Sequence, residues 1–111
     1  MSETLDRIRE LVAAGHVRIS DHGYDELAAD ELLAGEVLAG VPGAQLVEDY
    51  PQHPRGPCVL VLQTGSEDQP IHAVWGIPQG RTEPAVLITA YRPDAELWEN
   101  GFLRRRDEQQ T

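Results

Sequence analysis

Residues 58–91 read CVLVLQTGSEDQPIHAVWGIPQGRTEPAVLITAY, and their punctuation decides the architecture. The run 58–64 opens with five apolar residues in succession, the pattern of a strand covered on both faces at the centre of a sheet. Gly65 and Pro70 bound a turn into 71–77. There Ile71, Ala73, Trp75 and Ile77 share one face, while His72, Val74 and Gly76 share the other. Pro78, Gly80 and Pro84 mark the next turn. Strict alternation over 85–91 then sets Ala85, Leu87, Thr89 and Tyr91 opposite Val86, Ile88 and Ala90. Three consecutive strands with short connections predict an antiparallel meander.

Working outward, residues 44–50 form a fourth strand, joined to the meander by the proline-rich loop 51–57. Upstream the period changes to that of helices. Leu5, Ile8, Leu11 and Val12 recur at helical spacing over 3–14, with Ser2 as cap and Gly15 as stop. Residues 16–20 alternate as a short strand with Val17 and Ile19 on one face. Ser20 or Asp21 caps a helix with a Tyr24, Leu27, Ala28 stripe, and a further helix from Asp30 buries Leu33, Val37, Leu38 and Val41. Pro93 ends the last strand, and Asp94 caps a short C-terminal helix holding Leu97 and Trp98. The expected fold is α+β: a curved four-stranded antiparallel sheet with the N-terminal helices packed on one face and a short C-terminal helix. At 111 residues the chain is expected to be one domain, 1–111, with 101–111 a frayed tail.

The net charge is −10, with nine Arg, nineteen acids and no Lys. Residues 1–50 hold three Arg against eleven acids, and residues 51–111 six against eight, so the acid gathers in the N-terminal half. Such a chain repels polyanions at long range, which disfavours RNA and anionic membranes as partners. The longest apolar run, 58–62, falls far short of the roughly 20 residues of a membrane span. Cys58 is the lone cysteine and the N-terminus lacks a signal-peptide pattern, so a cytoplasmic location is expected.

Glycine-rich phosphate loops, GxSxG, HExxH and paired cysteines are all missing from the sequence. The four histidines have no metal-ligand spacing, and neither a metal nor a cofactor is expected. His22 falls in the first turn of its helix, where the dipole disfavours imidazolium and leaves a neutral base. His72 shares a strand face with Gly76, whose missing side chain leaves room for a ligand. Tyr91 and Arg92, supported by Thr89, close the neighbouring strand. An imidazole, a phenol, a guanidinium and a hydroxyl there have the types that metal-free RNA cleavage uses as base, acid and phosphorane stabiliser. The loop 51–57 holds His53 and Arg55 between prolines, a stiff mount for reading an anion or a partner surface. Arg104, Arg105 and Arg106, diluted by Asp107 and Glu108, read as a solvated tail.

The segments HVRIS running into DHGYDEL, then LVEDYP, CVLVL, PIHAVWG and VLITAYRPD, resemble the bacterial domain-of-unknown-function family 4258 over about residues 16–94. The matching positions are Ser20, His22, Tyr50, Pro51, His72, Thr89, Tyr91 and Pro93. That family is distantly similar to the RelE and BrnT group of small toxins, which lay helices on a four-stranded antiparallel sheet and cleave RNA without metal. The resemblance implies a RelE-like fold and, if activity follows fold, His22 and His72 as acid and base with Tyr91 and Arg92 beside the phosphate. Two functions compete: a toxin-like endoribonuclease or degenerate relative, and a non-catalytic protein-binding domain of the same fold. The first requires His22 and His72 to approach each other. Ligand binding at Gly76 is a third reading, and a free sheet edge offers a route to a homodimer.

Overall fold

The computed structural model describes residues 2–106. Its elements are α1 (Glu3–Ala13), β1 (Val17–Ile19), α2 (Asp21–Ala29), α3 (Ala34–Ala39), β2 (Gln45–Tyr50), β3 (Cys58–Thr64), β4 (Pro70–Gly76), β5 (Ala85–Tyr91), β6 (Trp98–Glu99) and β7 (Arg104–Arg105). The fold is α+β, and the main sheet has five strands in the order β1-β5-β4-β3-β2. The meander β2 to β5 is antiparallel, but β1 joins β5 in parallel through Val17–Ala85, Arg18–Val86 and Ile19–Leu87. The sheet is therefore mixed and five-stranded, not four-stranded and antiparallel. Nothing local in residues 16–20 announces a partner so far along the chain.

One face of this sheet carries the core. Leu5, Ile8 and Leu11 of α1, Leu27 of α2 and Val37 of α3 join Val59, Val61, Ala73, Trp75 and Leu87 in one apolar cluster. Inside it, Trp75 Nε1–H donates to Gln63 Oε1 at 3.1 Å, and Gln63 Nε2 donates to the Val37 carbonyl at 2.7 Å. That chain satisfies two buried side chains and ties α3 to the sheet.

Ser20 fixes the corner between β1 and α2. Its hydroxyl oxygen accepts the Gly23 N–H at 2.9 Å as an N-cap and donates to the Ile88 carbonyl at 3.0 Å. A Cβ on Gly23 would sit 2.7 Å from the Leu87 oxygen, so this turn of α2 lies directly on the β5 backbone. Ile88 is the extra residue of a bulge, because Val74 pairs with Thr89 while Trp75 pairs with Leu87. The bulge reverses the alternation: Ala85, Leu87 and Ala90 are buried toward the core, and Thr89 and Tyr91 share the outer face with Val86 instead of opposing it.

Three further expectations are corrected. The helix expected from Asp30 begins at Ala34, since Glu31 takes a left-handed φ of 53° and ends α2. Leu32 is buried in place of Leu33, which is 71% exposed, and Tyr24 stands 58% exposed rather than in a stripe. Among the described residues no helix follows Asp94. Asp94 closes one turn, and Trp98–Glu99 then pair with Arg104–Arg105 in a hairpin. Asn100 and Gly101, with φ of 54° and 64°, supply the Asn-Gly turn signal that this hairpin needs. Of the tail expected over 101–111, residues 107–111 lie outside the described residues, while Arg104 and Arg105 are strand. Among the described residues no helix is long and apolar enough to cross a membrane.

Candidate functional site

Strand register lines up one row across all five strands on the face away from the core: Arg18, Val86, Gly76, Cys58 and Tyr50. The row is apolar in the middle and interrupted by a residue without a side chain. A Cβ on Gly76 would meet Ile88 Cδ1 at 3.0 Å and Cys58 Cβ at 3.3 Å, so at this point of the floor only glycine fits without displacing its neighbours. The cleft over this floor has a volume of about 240 Å³. Arg18, His53, Arg55, Cys58, Ile77, Pro78, Val86 and Ile88 contribute to its lining, and among the described residues no carboxylate does.

The loop 51–57 is locked over one side of this cleft. The Gln79 N–H donates to the Arg55 carbonyl at 3.1 Å, the Ile77 N–H to the Pro57 carbonyl at 3.0 Å, and the Gly56 N–H to the His53 carbonyl at 3.0 Å. Gly56 adopts φ +123°, and a Cβ there would lie 2.0 Å from the Ile77 oxygen. Only glycine permits that approach. The Arg55 N–H also donates to His53 Nδ1 at 3.2 Å. In the neutral ring the hydrogen is therefore on Nε2, which becomes a donor. Among the described residues neither the Arg18 nor the Arg55 guanidinium makes an ion pair or a hydrogen bond. Burial, assisted by the Asp49 charge, pushes the Cys58 thiol above its ordinary pKa, so the floor is a neutral thiol.

Further along the same face the hairpin β6–β7 covers His72. This ring is 0% exposed and lies edge-on to Trp98, with centroids 4.4 Å apart, and to Tyr91 at 5.4 Å. His72 Nε2–H donates to the Phe102 carbonyl at 2.7 Å, leaving Nδ1 to accept the Tyr91 hydroxyl at 3.2 Å. Burial holds the His72 pKa below the ordinary histidine value, although the Phe102 carbonyl and the Glu48 charge favour the cation. Burial likewise raises the Tyr91 pKa.

The sequence-derived candidates thus separate. His72 and Tyr91 meet, and Thr89 shares their face. Arg92 turns elsewhere: its N–H donates to the Asp30 carboxylate at 2.7 Å and its Nε to the Asp30 carbonyl at 3.2 Å. His22 is 64% exposed on α2, with Nε2 3.3 Å from Glu26 Oε1. It is not among the hydrogen-bond or ring neighbours of His72. The features that converge instead are Gly76 with His53 and Arg55, each visible in sequence but in separate arguments, together with Arg18. The signal for Arg18 was its place as the one charged residue between Val17 and Ile19. Among the described residues no group of three or more His, Cys, Asp or Glu is placed to hold a metal ion.

A family model described as a domain of unknown function, DUF4258, matches residues 19–92, two thirds of the chain. The matched segment contains His53, Arg55, Gly76 and His72 and ends before the hairpin β6–β7. No curated protein and no solved structure matches the chain. None of these comparisons shows a likeness to the RelE and BrnT toxins.

Proposed function

The chain belongs to the DUF4258 family, and from that premise we propose that it acts as a non-catalytic binding domain whose recognition site is the cleft on the outer sheet face. The observation that carries this reading is the preformed cleft at Gly76, walled by the hydrogen-bonded loop 51–57 and lined mainly by apolar groups with a few polar ones. Small-ligand sites have that composition.

The endoribonuclease reading draws less support from the same geometry. RNA cleavage needs a base, an acid and a cation around one phosphate. Here both His72 nitrogens are engaged inside the protein, Arg92 is spent on Asp30, and His22 pairs with Glu26 on α2. The charge of −10 adds repulsion toward a polyanion.

The test has two arms. In the first, the purified chain is incubated with total RNA, and induced bacterial cultures are followed for growth, each beside the His22→Ala, His72→Ala double variant. Intact RNA and equal growth are expected, and cleavage by the native chain alone overturns the reading. In the second, a thermal-shift screen of small neutral, cationic and anionic fragments is run on the native chain and on Gly76→Ala. A ligand that binds the folded state raises the melting temperature by linkage. Hits that weaken in Gly76→Ala support the cleft; hits indifferent to it, or none, contradict it.

A further inference from the structure

The occupant of the outer-face cleft follows from what surrounds it. Two guanidiniums and an imidazole N–H stand at its rim, on a chain whose total charge is −10. Arg9, on α1, meets a carboxylate within ion-pair reach, Asp6 at 3.7 Å. Arg18 and Arg55 have none among the described residues. Of the two acids on β2, Glu48 lies on the outer face, where it accepts the Tyr50 hydroxyl at 2.8 Å, and Asp49 pairs with Val59 in the row that faces the core; neither lines the cleft. The donors come from separate elements, β1 and the loop 51–57, and Gly56 pins that loop against Ile77 and Gln79 so that the backbone carrying Arg55 and His53 is fixed before any ligand arrives.

We infer that the cleft binds a small organic oxyanion: a single carboxylate or phosphate group held by Arg18, Arg55 and His53 Nε2–H, joined to a compact apolar body that rests on Gly76, Val86 and Ile88. This inference deepens the binding reading and rests on it. A guanidinium donates hydrogen bonds in a planar fork that suits either oxyanion, and an imidazole N–H adds a third donor. The apolar floor rewards a ligand that carries hydrocarbon behind its charge. The volume of about 240 Å³ limits that body to roughly one small ring. The acidic remainder of the protein selects in the same direction. Its field repels an extended polyanion, while one compact charge seated between two guanidiniums experiences mainly the local positive potential.

The probes are benzoate, phenyl phosphate and benzamide, the last being a neutral match for benzoate in shape, titrated by calorimetry into the full chain at low salt. One saturable site is expected for benzoate or phenyl phosphate, and the tighter of the two identifies the oxyanion. Benzamide is expected to bind at least about tenfold more weakly, the scale of a charge-assisted hydrogen bond. The Arg18→Gln, Arg55→Gln double variant is expected to lose about tenfold in affinity for the anion and nothing for benzamide. Both side chains are exposed, so its melting temperature should match that of the native chain. Added salt should weaken only the anions. Equal binding of benzamide and benzoate, unchanged in the double variant, overturns the oxyanion assignment and leaves the cleft as the binding site. Binding of none of the three overturns both.

Discussion

Acid should destabilise this protein through His72, in a window above the carboxylate range. The ring is fully buried and held as the neutral Nε2–H tautomer by Phe102 and Tyr91, with its pKa below the ordinary value. In the unfolded chain a histidine titrates near about 6.5. As pH falls below that value the unfolded state takes up a proton that the folded state declines, so stability present above about pH 6.5 is lost on acidification until the folded pKa is reached. One proton changes stability by at most about 1.4 kcal/mol per pH unit, so the loss between about pH 7.5 and 5.5 is bounded at about 1.4 kcal/mol. At about 4–8 °C per kcal/mol for a domain near this size, the melting temperature should fall by as much as about 5–10 °C. Glu36, whose pKa is lowered by the Ser66 N–H and hydroxyl, contributes stability that is lost only as pH falls below the ordinary carboxylate value of 4.5. It lies outside the window. The assay is urea unfolding followed by circular dichroism across that range, on the native chain and on His72→Phe. The variant orphans the Phe102 carbonyl and the Tyr91 hydroxyl and should be less stable at neutral pH by about 1–3 kcal/mol. Its stability should be nearly flat over the window. An acid slope in His72→Phe equal to that of the native chain refutes the assignment.

Other consequences follow from the same contacts. Ser20→Ala removes the α2 cap and the partner of the Ile88 carbonyl, and thermal unfolding should show a loss of about 1–3 kcal/mol, largely recovered by Ser20→Thr. Gln63→Leu orphans the Trp75 N–H in the core and leaves the Val37 carbonyl with the Gly40 N–H alone, a loss of about 1–3 kcal/mol by urea unfolding; a neutral outcome would deny the buried chain its role. Gly56→Ala cannot keep the loop on Ile77, so amide exchange at Ile77 and Gln79 should accelerate and benzoate binding should weaken while the core amides of β3 and β4 stay protected.

Much of the fold was legible because its signals are local. The continuous apolar run 58–62 marks a central strand, and Pro93 ends the last one. Ser20, one of the two caps the sequence offers, writes the corner into α2. What escaped depends on long-range pairing or on one added residue. The parallel union of Val17–Ile19 with Ala85–Leu87 leaves no periodic trace, and the bulge at Ile88 turned Thr89 and Tyr91 to the outer face against simple alternation. Trp98 reads as a helix residue until the buried surface over His72 is known to exist, although Asn100-Gly101 carried the hairpin in plain view. The site was legible in fragments. Gly76 was read as a gap and His53 with Arg55 as a mount for an anion or a partner surface, but only the register that sets Arg18, Val86, Gly76 and Cys58 in one row joins them.

Backbone amide shifts of the isotopically labelled chain, recorded as benzoate is added, test the cleft most directly. The account predicts saturable shifts confined to residues around Arg18, the loop 53–58, 76–78 and 86–88, abolished by the Arg18→Gln, Arg55→Gln substitutions. Saturable shifts centred on the first turn of α2 or on the β6–β7 hairpin, or none at all, would contradict it.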